Sequence, residues 1–207
     1  MPFTPFHLGP SLLIGVIFFP YLFIPSILLG SIIVDIEPLT FLILDLPVLH
    51  LFFHTFFGAT LLALLGAFFL FLLRGVFEKI MTFFLLPQTV SPLNITIAAL
   101  VGAYSHIVLD AFLYPEMQPF WPLIGNPFLG LVSSLAIYLF CVLCFIIAIP
   151  IYIIQIWRIK QRTKQRLYIG ESGNWLDGEP RRGARSPAAP LRAGQSSPVP
   201  QMLYTAG

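Results

Sequence analysis

Five polar side chains punctuate an otherwise apolar chain in the order His7, Asp35, His54, His106, Asp110, and their types are those that hold a divalent metal ion. The last two belong to Ser105-His106-Ile107-Val108-Leu109-Asp110. On a helix an H-x-x-x-D spacing stacks imidazole and carboxylate one turn apart, about 5–6 Å between Cβ atoms, near enough to share one ion. In hydrocarbon each ionisable group is costly unless it has a partner. A His–Asp ion pair joining two helices accounts for His106 and Asp110 alone. Adding His54 and Asp35, from other segments, favours a shared cation, zinc first among the candidates, with one or two ions. Such an ion with an open position activates water. The expected chemistry is hydrolysis of an ester or phosphoester, with Asp35 and Asp110 as candidate catalytic carboxylates and Asp35 as general base if one ion is bound.

Other polar residues are weaker candidates. His50, one helical turn before His54, has three readings: a ligand, a residue that hydrogen-bonds a ligand from outside, or an interfacial group. The second is favoured. Glu37, Asp45 and Glu116 are expected to be solvated carboxylates. Cys141 and Cys144 form a C-x-x-C within an apolar run and read as small core residues, because no second ligand pair completes a zinc site.

The composition sets the surroundings of these residues. The chain of 207 residues is 57% hydrophobic and 10% charged, with 21 Phe, and its mean hydropathy is +0.89. Soluble domains carry roughly a quarter charged residues, so the chain is expected to be an integral membrane protein. No basic run precedes the first apolar stretch, which is therefore expected to stay in the mature protein.

The elements that must position the five residues are apolar stretches at about 8–34, 51–73, 95–113 and 128–157. Crossing the hydrocarbon takes about twenty helical residues, which the last three stretches satisfy. Pro150 is expected to kink the fourth. Pro10, Pro20 and Pro25 interrupt the first, which is expected to break near residues 19–22. A re-entrant hairpin would bring His7 and Asp35 to one face, whereas a single span would part them by the width of the membrane. The predicted fold is an all-α polytopic bundle: this broken or re-entrant hairpin plus three transmembrane helices. Residues 1–157 form the embedded domain, 158–168 a basic juxtamembrane segment, and 169–207 a disordered tail rich in Gly, Pro, Ser, Arg and Ala.

Charge gives the orientation. Only Arg74 and Lys79 among the basic residues precede Arg158, and Arg158, Lys160, Arg162, Lys164 and Arg166 follow the fourth stretch. The positive-inside rule makes that side cytoplasmic, C-terminus included, in a multi-pass cell-membrane protein. The candidate ligands then face outward, beneath a loop at 114–126 whose prolines and aromatics suit an interfacial cap or a lid.

The segments Met1-Pro2-Phe3-Thr4-Pro5-Phe6-His7, Gly30-Ser31 with Asp35, Phe53-His54-Thr55 with Gly58, and Gly102-x-x-Ser105-His106-x-x-x-Asp110 together resemble the YdjM-like membrane-bound metal-dependent hydrolases, in particular their archaeal members. The resemblance covers roughly residues 1–150 and implies a metal-dependent hydrolase without naming a reaction. The order of ligands is also similar to the N-terminal series of bacterial zinc-dependent phospholipases C. That similarity implies one ion on Asp35, His54, His106 and Asp110, with Asp110 bridging to a second held by His7. No His follows His106, which excludes the full three-metal centre of those enzymes.

The expected partners are membrane lipids and a lipid-like substrate. Two other classes compete. A transporter or ion-conducting protein would continue the polar residues to the cytoplasmic side, and few are there. A non-catalytic interaction protein would use the cluster only to bridge helices and the basic segment to bind anionic lipid. Nucleic-acid binding is not expected, since the basic residues form one juxtamembrane run without a folded domain.

Overall fold

The computed structural model describes residues 4–45, 51–88 and 91–176, with side-chain surroundings through residue 165. The chain divides into two units, Met1–Gln165 and Arg166–Gly207, and the elements below position a site in the first. A 3-10 turn at Thr4–His7 leads into α1 (Leu8–Ile17), α2 (Ile24–Ile33), α3 (Ile36–Ile43), α4 (Phe56–Leu72), α5 (Arg74–Phe83), α6 (Pro92–Ala111) and α7 (Ser134–Leu176). No strand occurs among the described residues.

The first apolar stretch is a hairpin. The chain breaks between Ile17 and Ile24, around Pro20, and α1 packs back along α2. Prolines remove helical hydrogen bonds, and in an apolar setting the freed backbone groups need partners. Two glutamines from distant elements supply them. Gln88 accepts from the Ile24 amide (3.2 Å) and donates to the Leu22 carbonyl (2.8 Å), and Gln155 donates to the Val16 carbonyl (3.0 Å). Both ends of the stretch, His7 and Asp35, thereby arrive at the end of the bundle opposite the hairpin tip.

Among the described residues three helical segments are long and apolar enough to cross a membrane, Ile24–Ile43, Pro92–Ala111 and Ser134–Gln165, and α4 with α5 makes a fourth if that bent pair is one span. This corrects the sequence reading in two places. Residues 51–55 are not helical, and the second expected span becomes α4 and α5, bent by 79° at Leu73. At 17 residues α4 is shorter than the roughly twenty needed to cross alone. The apolar run ends where Arg74, Glu78 and Lys79 make α5 amphipathic, and the Arg74 guanidinium folds back over the Phe71 ring (4.5 Å). In addition α2 continues through Asp35 into α3, giving a span-length segment that the sequence reading ended at Val34. The third span matches its expectation closely, with Ser91 capping α6 through the Asn94 amide (3.1 Å) and Pro92 in the first turn. The fourth begins at Ser134 rather than 128, contains Pro150, and continues helical to Leu176, past residue 169 where the tail was expected to start. Residues 177–207 lie outside the described residues.

Helices α4 and α6 turn many of their small residues inward. Along these two helices the inward positions include Ala59, Ala63 and Ala67 of α4 and Ala98, Ala99 and Ala103 of α6, beside larger buried residues such as Ile27 of α2 and Ile95 and Ile107 of α6. Leu61, Leu65, Phe68 and Leu72 of α4 and Leu139, Leu143 and Ile146 of α7 point outward. Small interior residues let helix backbones approach closely. Gly30 and Gly102 carry this furthest. A Cβ on Gly30 would overlap the Ala99 carbonyl oxygen, and one on Gly102 the Ile27 carbonyl oxygen, so α2 and α6 meet backbone to backbone.

Candidate metal centre

Close contact between α2 and α6 sets the first ligand. The Ser31 carbonyl, next to Gly30, lies 2.6 Å from His106 Nδ1. A carbonyl only accepts, so Nδ1 carries the proton and the Nε2 lone pair is turned inward. One turn on, Asp110 places Oδ2 3.1 Å from that Nε2, as the H-x-x-x-D spacing predicts. Asp35, at the junction of α2 and α3, brings Oδ1 to 3.4 Å from His106 Nε2 and 3.8 Å from His54 Nε2. His54 Nε2 lies 3.9 Å from Asp110 Oδ2. One donor atom from each of Asp35, His54, His106 and Asp110 falls within 4.8 Å of the other three.

Those separations fit an ion. With zinc–ligand bonds of about 2.0–2.1 Å, tetrahedral geometry puts donor atoms about 3.3 Å apart. Orientation agrees with distance. His106 Nε2 is fully buried and only 3.1 Å from Asp110 Oδ2, yet it makes no hydrogen bond, and buried Asp110 Oδ1, 3.1 Å from His7 Nε2, makes none either. Buried polar atoms are nearly always paired. Neighbouring donors that do not bond one another are what a shared cation requires. The four groups can therefore hold a metal ion.

His54 sits in the turn ahead of α4. Thr55 caps that helix by accepting from the Gly58 amide (2.9 Å), and the Phe56 amide donates to the Pro119 carbonyl (2.9 Å). His54 Nδ1 faces Glu37 Oε2 at 3.0 Å. Glu37 also accepts from the Leu51 amide (2.9 Å) and the Phe53 amide (3.1 Å). Burial disfavours the His54 imidazolium, but the hydrogen bonds to Asp35 and Glu37 and the Asp110 charge outweigh it and push the pKa up to about 9. Without a metal, a proton supplies the positive charge these carboxylates demand.

The structure sorts the sequence candidates. Asp35, His54, His106 and Asp110 converge. His7 joins their edge: its Nε2 lies 3.1 Å from Asp110 Oδ1 and its ring stacks on His106 with centroids 4.1 Å apart, but it stands outside the four-residue group. Glu37 is a correction: expected to be solvated, it is buried and belongs to the site. The signal was its position two residues after Asp35 in an apolar segment, where a solvated carboxylate has no place. His50 lies outside the described residues. Asp45 is exposed at positive φ (53°) and away from the cluster. Glu116 lines a separate cavity of about 270 Å³ with Leu51, Phe52, Thr55, Gln118 and Trp121. The 114–126 loop packs on the His54 segment through Phe120 on Phe56 (5.3 Å) and Trp121 on Phe52 (5.6 Å). Cys141 and Cys144 are free and buried in α7, apart from the cluster.

The four ligands differ in exposure. His54, His106 and Asp110 are at most 2% exposed, whereas the Asp35 side chain is 20% exposed. Asp35 is the ligand that solvent reaches. Compared with known proteins, the chain matches no family model, no curated protein and no solved structure.

Proposed function

We propose that this chain is a multi-pass membrane protein whose Asp35–His54–His106–Asp110 centre binds a divalent cation, zinc by its nitrogen and oxygen donors, and hydrolyses an ester or phosphoester at the membrane interface. The observation that carries the reading is His106 Nε2, buried and without a hydrogen bond although 3.1 Å from Asp110 Oδ2, inside a four-donor group. The outward-facing large apolar side chains and three span-length helices support the membrane setting. The resemblance to YdjM-like hydrolases points to the same activity.

When bound, a divalent ion here lowers the pKa of a water and polarises the scissile group. The chain's own residues do the rest. Asp35, the least buried ligand, would take a proton from the incoming water. Asp110, facing the imidazoles of His7, His54 and His106, holds the charge balance, and His7 on its outer oxygen is the group a second ion would use. His54, His106 and Asp110 are buried, which keeps bulk water from them, and Asp35 is the ligand an incoming water would meet. With Arg74, Lys79 and the basic segment after Trp157 on the cytoplasmic side, the centre opens to the outer leaflet, which favours a lipid or lipid-like ester.

A transport role is disfavoured, because the cavity of about 450 Å³ between the hairpin, α4, α5 and α7 is lined by Leu, Ile, Val, Phe, Pro, Met and one Tyr and offers no chain of polar groups. The test is elemental analysis of purified full-length protein in micelles. Near-stoichiometric zinc is expected in wild type, with loss in His106→Ala and Asp110→Ala while helicity is retained. Wild type that holds no divalent metal, even after incubation with zinc, overturns the proposal.

A further inference from the structure

We propose that Glu37 is a positioning residue for the metal centre: it locks His54 with Nε2 directed at the ion and fixes the segment that carries it. The inference rests on the metal-binding reading above. A carboxylate has only acceptors, so the His54 nitrogen 3.0 Å from Glu37 Oε2 must be the protonated one. That leaves Nε2, the atom facing Asp35 and Asp110, as the metal-binding nitrogen. A ligand imidazole backed by a carboxylate is more basic and more rigid than one left to water. The two histidines of the group differ in this respect. His106 is backed by a neutral carbonyl, and His54 by a buried negative charge.

Glu37 is committed to this place on both oxygens. Oε1 accepts from the Phe53 amide, and Oε2 from the Leu51 amide and His54. Three donors converge on one side chain that has no donor of its own. Glutamine nearly matches its shape but always turns one NH₂ toward a donor. In one orientation it faces the Phe53 amide; in the other it meets the Leu51 amide and His54 Nδ1. Glu37→Gln therefore breaks the clamp without emptying the space. The carboxylate also ties two parts of the site together. It leaves α3 two residues beyond the ligand Asp35, and it grips the 51–54 segment that walls the cavity beside Glu116 and Trp121.

The test uses the full chain in micelles, stripped of metal and titrated with Co²⁺ against a competing chelator, read by visible absorption. Wild type is expected to bind Co²⁺, and Glu37→Gln to bind it about 10–100-fold more weakly with an altered visible band at saturation. A merely structural Glu37 would lower thermal stability and leave the saturated band unchanged. That result, or unchanged affinity, overturns the proposal while leaving the metal centre standing. Wild type that binds no Co²⁺ overturns the metal-binding reading itself and this proposal with it. If Glu37→Gln does not fold, ¹⁵N-histidine NMR of zinc-loaded wild type decides. His54 must show a protonated Nδ1 and a metal-bound Nε2, and metal on Nδ1 overturns the proposal.

Discussion

A single methyl group added at Gly102 should weaken metal binding although it touches no ligand. In Gly102→Ala the new Cβ would overlap the Ile27 carbonyl oxygen and stand 2.9 Å from the Ser31 nitrogen and 3.0 Å from the Ile27 carbonyl carbon. All three are backbone atoms of α2, so no side chain can swing aside. Ordinary carbon–oxygen contacts begin near 3.3 Å, so the helices must part locally by about 1 Å. The 2.6 Å bond from His106 Nδ1 to the Ser31 carbonyl then stretches to about 3.6 Å and is lost. Losing such a support typically costs about 10–100-fold in metal affinity, or about 1.4–2.7 kcal/mol. Overpacking adds about 1–3 kcal/mol of destabilisation. The assay is zinc affinity by chelator competition in micelles, with circular dichroism reporting helix content. Gly75→Ala in exposed α5, where the added carbon meets nothing within 4 Å, is the control. It should leave affinity unchanged and stabilise by about 0.5–1 kcal/mol through helix propensity. Gly102→Ala protein that folds and binds zinc within about threefold of wild type would show that the backbone contact does not set the ligand geometry.

Two further outcomes are expected. Gln88→Leu strips partners from the buried Ile24 amide and Leu22 carbonyl, so the thermal midpoint should fall by an amount reflecting about 1–3 kcal/mol for each unpaired group. Metal affinity should change little, because the hairpin tip and the centre are at opposite ends of α2; a large affinity loss would contradict that separation. In metal-free protein, His54 has its pKa raised from 6.5 to about 9, so its contribution is fully present below about pH 6.5 and lost as pH rises through about 9. Thermal stability of the metal-free form should decline across that window, whereas the zinc-loaded form, with the ion in place of the proton, should not. Parallel pH profiles for the two forms would show that His54 does not exchange its proton for metal.

The sequence alone determined which side chains could form the centre and in what membrane-like setting. Ionisable groups in apolar helices are costly, so the few that remain stand out, and His7, Asp35, His54, His106 and Asp110 could be chosen on that ground, although His7 stands at the edge of the four-residue group. The i, i+4 spacing fixed His106 against Asp110, because helix geometry is local. The break at Pro20 was legible for the same reason. The bend at Leu73 and the role of Glu37 were not. Its apolar setting argued against a solvated carboxylate, but which three N–H groups Glu37, in the first turn of α3, would meet depends on where residues 51–54 pass, and nothing within its own turn specifies that. Likewise Gly30 and Gly102 could be seen as small residues, but only the packed helices reveal that the Ser31 carbonyl decides which nitrogen of His106 is left for an ion. Local chemistry named the donors. Tertiary contact oriented them, because a lone pair is aimed by whatever holds the other side of the ring.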